Sequence, residues 1–534
     1  MKYPIGIQDF KSIIDDGYLY IDKTALVYDL VKKGKIYFLS RPRRFGKSLL
    51  VSTLEYYFKG RKELFQGLAI DRLEKEWVSY PVFHIDFNST NFNESSDTLQ
   101  KLIEGMVETW EKEYGYTGNR NFDAGKRFSE LVAHIHKTTG QRCVVLVDEY
   151  DKPLLDVMGT SRGATADANG DTRTFEEINR NILKAFYSSF KAADAHLQFV
   201  LLTGVTKFSQ VSVFSGFNQP KDISMDSRYD TLCGISKAEL ESYLHDEIAC
   251  MANELSVSYD ELMHKLQDRY DGYHFSERMV DIFNPFSILN ALDSHKLSDY
   301  WFKTGTPTYL IHLLNHRKEH LNDLTGRYYM ASEFVDYKAD VERPLPMFYQ
   351  SGYLTIKAYD EITESYLLDL PNNEVKRGFI TALANNYFET PLPVATELNG
   401  MIHAITDNDL GRLRNQLTAF FASIPYSMRR KADERERERY FHYTFYLIFR
   451  LLSTYVVLNE KEQSQGRADC IIETPQTVSI FEFKLDGSAE EALRQIDRQG
   501  YARPYAADHR TVYRVGVSFS SETGTISEWK VERN

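Results

Sequence analysis

A surplus of positive charge is what this chain lacks. Its 64 Lys and Arg stand against 76 Asp and Glu, a formal net charge of −12 at pH 7 over 534 residues, and that balance excludes a protein that coats nucleic acid nonspecifically. The deficit is uneven: residues 430–534 hold 16 Lys and Arg against 17 Asp and Glu, so −11 falls on residues 1–429. Long apolar runs are missing as well. No window approaches the length of a membrane span, and residues 1–10 lack the apolar core of a secretion signal, so a cytoplasmic protein with no membrane partner is expected. Cysteine is scarce. Cys143, Cys233, Cys250 and Cys470 are dispersed, two of them in expected buried strands, and they read as reduced core thiols, neither disulfides nor zinc ligands. No internal repeat or low-complexity tract is present.

What is there is an ordinary globular composition, 43% hydrophobic and 26% charged, in a chain too long for one core, so two to four units are expected. Near the carboxyl end, Val478-Ser479-Ile480-Phe481-Glu482-Phe483-Lys484 follows Gly466-Arg467-Ala468-Asp469. Strand side chains alternate, which would turn Phe481, Phe483 and Leu485 to a core and leave Glu482 and Lys484 together on the opposite face. A turn at Glu473-Thr474-Pro475-Gln476 would bring Glu482 back beside Asp469. Adjacent carboxylates repel unless a cation such as Mg²⁺, or Mn²⁺, lies between them. A metal on Asp469 and Glu482, with Lys484 orienting water or stabilising a leaving oxygen, is the minimal set for phosphodiester cleavage. The plainer alternative is an ion pair on a solvated sheet face. Glu374-Val375-Lys376 and Glu528-Trp529-Lys530 repeat the acid-x-Lys spacing but have no partner aspartate on a preceding strand.

A second signal lies near the start. The β-rich run Ile36-Tyr37-Phe38-Leu39-Ser40 leads into Arg41-Pro42-Arg43-Arg44-Phe45-Gly46-Lys47-Ser48 and then a helical pattern over 49–58. Strand, tight loop and helix are the context of a phosphate-binding loop. Gly46 would let the backbone approach the phosphates, Lys47 would reach the β and γ oxygens and Ser48 would hold Mg²⁺, at a helix N-terminus that favours negative charge. The loop departs from the G-x-x-x-x-G-K-[ST] pattern at Arg41. Arg41, Arg43 and Arg44 would bind phosphate in place of the missing glycine, or else reach a neighbouring subunit's nucleotide in a homo-oligomer. The apolar run Cys143-Val144-Val145-Leu146-Val147 ends in Asp148-Glu149, as a buried parallel strand delivering carboxylates to its C-terminal edge. There Asp148 would join the Mg²⁺ shell and Glu149 would polarise the hydrolytic water. Two further runs, 197–202 and 81–87, complete a parallel sheet, and Thr203 after the first would sense the γ-phosphate or simply cap a turn.

Asp469 with Glu482-x-Lys484 resembles the PD-(D/E)XK nuclease superfamily. That resemblance implies a polar site residue, Gln495, on the amphipathic helix 489–501. It also implies an added acid on the preceding helix, with Glu438 in front of His442, although the alternating charges of 434–439 suit a solvated face equally well. The first half resembles P-loop ATPases that pair an Asp-Glu strand end with an added central strand. Nearly the whole chain resembles a bacterial family of AAA-ATPase-like proteins that join an RPRRFGKS-type loop (41–48) and a VDEYDKP-type strand end (147–153) to a carboxy-terminal PD-(D/E)XK domain. Residues 203–209, 270–273 and 483–487 extend the match. It places Arg43, Arg44, Phe45, Gly46, Lys47, Ser48, Asp148 and Thr203 at ATP, and Glu149, Asp469, Glu482, Lys484 and Gln495 at the chemistry.

The expected architecture is α/β: a P-loop parallel sheet over 1–229, a helical, winged-helix-like lid and connector over 230–425, and a nuclease-like α/β domain over 426–534. Helical periodicity at 237–253 and 258–268, and a hairpin pairing 353–359 with 364–370, suggest the lid. Such a lid would either bind DNA or report nucleotide state to the rest of the chain, and the lack of a basic stripe favours the reporter. Residues 159–171 read as a flexible loop and 423–439 as a linker. The function expected is an ATP-controlled, Mg²⁺-dependent nuclease acting on DNA or RNA, with defence against foreign nucleic acid as fold-level analogy. The alternative is a nucleotide-switched scaffold whose nuclease-like domain binds without cutting; a third is an ATP-driven motor that only grips DNA.

Overall fold

The structure is a computed structural model that describes residues 1–158, 165–166, 172–208, 220–304, 308–317, 319–336, 343–388, 394–423, 443–444, 447–452, 458–459, 462–463, 466–467, 470–506 and 508–533. Two compact units divide the chain: Met1–Arg317 with Asp323–Glu374, and Lys318–Asn322 with Val375–Asn534.

The first unit is organised by β1 (Ile36–Ser40), α1 (Lys47–Phe58), β2 (Val82–Asp86), α2 (Thr98–Glu113), α3 (Ala124–Thr139), β3 (Cys143–Asp148), α4 (Phe175–Ala192), β4 (Leu197–Gly204) and β5 (Lys221–Asp222). The strands form one parallel sheet in the order β2-β3-β4-β1-β5. Every residue of β3 is buried, which is why its sequence is an unbroken apolar run and not an alternation. Two of the connecting helices begin at side-chain caps, Asp123 on α3 and the Thr174–Glu177 capping box on α4, which satisfy free N–H groups of the first turn. Because β4 inserts between β1 and β3, the carboxyl ends of all three strands are neighbours. That topology brings the 41–46 loop, Asp148 and Thr203 to one edge.

Three helices follow, α5 (Lys237–Glu254), α6 (Tyr259–Tyr270) and α7 (Pro285–Ser294), around a core that includes Leu240, Leu244, Ile248, Leu262, Leu266 and Ile288. The hairpin is present as β7 (Thr355–Asp360) and β8 (Ser365–Asp369), and β6 (Arg327–Met330) joins it in the order β6-β8-β7. Helix α8 (Asn373–Phe388) carries the chain across the division at Glu374 and Val375. Within 159–171 the described residues are 165–166, which pair antiparallel with 172–173.

In the second unit, α9 (Leu410–Ser423) precedes a mixed sheet of β9 (Leu458–Asn459), β10 (Cys470–Glu473), β11 (Thr477–Leu485), β12 (Thr511–Ser520) and β13 (Thr525–Arg533) in sequential order. The pair β11–β12 is parallel and is bridged by α10 (Ala489–Gln499). A capping box from Ser488 and Glu491 starts α10, its apolar face is Ala489, Ala492, Leu493 and Ile496, and Gly500 ends it at φ 65°. Gly516 lets the helix lie down on the sheet, since a Cβ there would fall 2.1 Å from the Ala489 carbonyl oxygen. All four cysteines are free; Cys143, Cys233 and Cys470 are core thiols, whereas Cys250 is exposed, which corrects its placement in a core. No helix among the described residues is long and apolar enough to cross a membrane.

Candidate functional site

The loop between β1 and α1 turns through two left-handed residues, Arg44 at φ 66° and Gly46 at φ 94°. Gly46 is the N-cap of α1, so the first free N–H groups of that helix open beside the loop. A cavity of about 470 Å³ lies here, lined among others by Arg43, Arg44, Lys47, Ser48, Glu149 and Asp151, a volume in the range of nucleotide-sized ligands. The Lys47 ammonium is buried and donates to the carbonyls of Arg41 and Pro42 at 3.0 and 3.1 Å. Burial pushes its pKa down, while the charges of Asp148, Glu149 and Asp151 pull the other way.

Asp148, at the end of β3, accepts the Thr203 hydroxyl at 2.6 Å. Both are buried, and neither lines the cavity. Thr203 is therefore tied to the acid at the strand end. Glu149 follows in a left-handed conformation, φ 51°, which turns its carboxylate into the cavity at some conformational expense. Burial raises its pKa, against the pull of Lys47. Asp151 is a buried acid that accepts the backbone N–H groups of Val205 and Thr206 at 3.0 and 2.5 Å. Burial pushes its carboxyl up to about 6 against those bonds and Lys47.

Two loop residues stand elsewhere than the sequence suggests. Arg41 is 1% exposed and points away from the cavity, donating to the carbonyls of Ser40, Ser224 and Tyr229, with its guanidinium 4.0 Å from the Phe275 ring centroid. It secures the loop from behind and does not line the cavity. Position 41 is also not among the left-handed residues of the chain, so a glycine is not required there. The Phe45 ring does not line the large cavity; it packs edge-on against Tyr273 and Phe275 and lines an apolar recess of about 100 Å³.

In the second unit, β10 and β11 pair antiparallel with Glu473 opposite Val478 and Cys470 opposite Phe481, as the expected turn requires. Asp469 lies outside the described residues, as do Glu438, His442 and the 424–439 stretch. Glu482 is only 1% exposed, because the sheet face it occupies is covered by α10. The solvated ion pair is thus not what forms. Lys484 Nζ lies 3.3 Å from Glu482 Oε1 and donates to Gln495 Oε1 at 2.7 Å. Helix α10 delivers Gln495 to the strand pair, so three of the five residues assigned to chemistry meet. A buried carboxylate beside an amide oxygen is a hard donor set that suits Mg²⁺ or Mn²⁺. The two control tripeptides differ in kind: Lys530 pairs with Glu490 on the surface, and Glu374 is buried.

A family model described as predicted AAA-ATPase matches residues 4–214, and one described as PD-(D/E)XK nuclease superfamily matches residues 436–529. A protein of Azotobacter chroococcum mcd 1, described as an uncharacterized protein in the vnfD 5′ region, is 35% identical over 546 residues, covering 99% of both chains. This chain belongs to the AAA-ATPase-like family that carries a C-terminal PD-(D/E)XK nuclease-superfamily domain. Within the AAA-ATPase-like unit, sequence reasoning missed Asp151, Asn88, Phe286 and Thr304 as cavity residues. Asp151 carried a signal, an acid three residues beyond the end of a buried strand. Phe286 and Thr304 carried none, since they reach the loop from more than 200 residues downstream.

Proposed function

We propose that this AAA-ATPase-like protein is an ATP-controlled, divalent-metal-dependent nuclease that cuts DNA or RNA. The observation that carries the reading is the meeting of Glu482, Lys484 and Gln495 under α10, in a chain that also builds a lysine-centred cavity beside Asp148 and Glu149. Residues 1–229 act as the nucleotide engine, 230–425 as lid and connector, and 426–534 as the nuclease.

The cavity of about 470 Å³ would hold ATP. The apolar recess, which shares Pro4, Gly46, Leu49, Pro285 and Leu289 with that cavity, would receive the base. Lys47 would exchange the loop carbonyls for the β and γ oxygens, Ser48 would hold Mg²⁺ with Asp148 at the adjacent strand end, and Glu149, its proton affinity raised by burial, would take the proton of the attacking water. Arg43 and Arg44 line their own chain's cavity, which supports phosphate binding in cis. In the nuclease unit Glu482 and Asp469 would hold the second metal, Lys484 would orient water or stabilise the leaving oxygen, and Gln495 fixes the lysine. When bound, Mg²⁺ supplies Lewis-acid stabilisation of the charge that develops on phosphate.

Cleavage of DNA and RNA panels with Mg²⁺ or Mn²⁺, with and without ATP, tests this against Glu482→Ala. Wild-type cleavage that depends on ATP and falls at least about 100-fold in the variant is expected. ATP binding with no cleavage of any substrate overturns it in favour of the nucleotide-switched scaffold.

A further inference from the structure

Residues 301–304 bind the phosphate loop from outside the parallel sheet. Trp301 Nε1 donates to the Arg43 carbonyl at 3.0 Å, and Arg44 Nε donates to Thr304 Oγ1 at 3.2 Å. Thr304 Oγ1 donates in turn to the Trp301 carbonyl at 2.7 Å, which closes the short segment on itself. The Arg44 guanidinium also lies 4.2 Å from the centroid of Phe286 on α7. On its other side the segment is held by Glu374. The Trp301 backbone N–H donates to Glu374 Oε1 and the Ser287 hydroxyl to Glu374 Oε2, each at 2.6 Å.

Glu374 is the second residue of α8, and it is 1% exposed. A buried carboxylate is expensive unless donors surround it, so an acid here is no neutral spacer. Its two oxygens tie α7, the 301–304 segment and the first turn of α8 into one polar cluster.

We infer that residues 301–304 form a nucleotide-responsive latch between the phosphate loop and α8, with Trp301 and Glu374 as positioning residues. The inference rests on the reading of the Lys47 cavity as a nucleotide site. Lys47 now holds the carbonyls of Arg41 and Pro42, and reaching phosphate exchanges those bonds for bonds to ligand. The next carbonyl along, that of Arg43, carries the Trp301 bond, so rearrangement of the loop is felt at Trp301. Phosphate also draws Arg44 from Thr304, which loosens the second tie. Both changes reach Glu374, from which α8 runs into the second unit.

Amide hydrogen exchange over residues 373–387 in the full-length protein, with and without ATP and Mg²⁺, tests the latch, with ATP affinity measured in parallel by calorimetry. In the wild type ATP is expected to change exchange in the first turns of α8 by at least about threefold. Trp301→Phe keeps a ring and deletes the N–H, and it is expected to bind ATP while losing most of that change. Glu374→Met, of similar length and without an acceptor oxygen, gives the same loss and decides the matter if the tryptophan variant does not fold. Wild-type ATP binding with α8 unaffected, or an undiminished response in the variants, overturns the latch alone. Absence of ATP binding by the wild type removes the nucleotide reading and the latch together.

Discussion

Asp271 holds a carboxyl group whose Oδ1 is buried with no hydrogen-bond partner. Burial pushes its pKa up to about 7, opposed by the N–H of Gly272 and reinforced by Asp281. The sign follows from linkage. A carboxyl whose folded pKa lies above its unfolded value binds its proton more tightly in the native state, so its stabilising contribution is complete below about pH 4 and is lost as pH rises through about 7. Asp271→Asn keeps the shape and cannot ionise. Its melting temperature is expected to exceed the wild type's by several degrees at pH 8 and to match it near pH 4, measured by differential scanning calorimetry. A variant that melts lower than wild type at pH 8 refutes the assignment. Nothing in the run Tyr270-Asp271-Gly272-Tyr273 announces this, because the burial comes from the chain around 371 and from Lys357, whose ammonium holds the carbonyls of Gly272 and Pro371.

At the scale of elements, α10 and the strands beneath it form the proposed nuclease site as one packed unit. Gly516 pairs with Glu482 across the parallel β11–β12 ladder, and its missing side chain is what lets α10 approach. In Gly516→Val the new side chain meets the helix backbone, which cannot swing aside as a side chain could. Overpacking of this kind costs about 1–3 kcal/mol, read as a lower urea midpoint for the second unit. Because Gln495 rides on the displaced helix, cleavage is expected to fall further than the unfolded fraction explains. Equal losses of cleavage and folded fraction would show that α10 contributes stability alone. The strand pair and the turn between them were legible in residues 470–485, although β11 is buried on both faces over 477–482 and Phe483 and Leu485, expected in a core, are half-buried. The burial of Glu482 was not legible, since alternation says which face a residue takes and not whether a helix will cover it. Arg41 shows the same limit: its acceptors at Ser224 and Tyr229 lie more than 180 residues downstream, so local reading could only take it for a departure from a loop pattern. The parallel sheet was legible because buried strands leave continuous apolar runs, whereas the 301–304 contacts with the loop leave no periodic trace at all.

For the whole molecule, the decisive question is whether the two sites act as one machine, and an asymmetric pair of substitutions answers it. Charge is already divided: −11 on residues 1–429 and −1 on residues 430–534. Net charge alone therefore opposes nucleic-acid contact more over residues 1–429 than over residues 430–534. If nucleotide state governs cleavage, removing the ammonium of Lys47 must disable both activities, because the nuclease then never receives the ATP-bound signal. Removing the carboxylate of Glu482 must disable one, because no step of ATP turnover passes through it. Lys47→Ala is thus expected to abolish ATP turnover and to hold cleavage at the ATP-free level, while Glu482→Ala loses cleavage and keeps ATP turnover within about twofold of wild type. Parallel assays of phosphate release and strand scission on the same preparations measure both. Cleavage by Lys47→Ala at the full wild-type rate would separate the sites into independent enzymes on one polypeptide, and loss of ATP turnover in Glu482→Ala would mean that the acid supports folding and not chemistry.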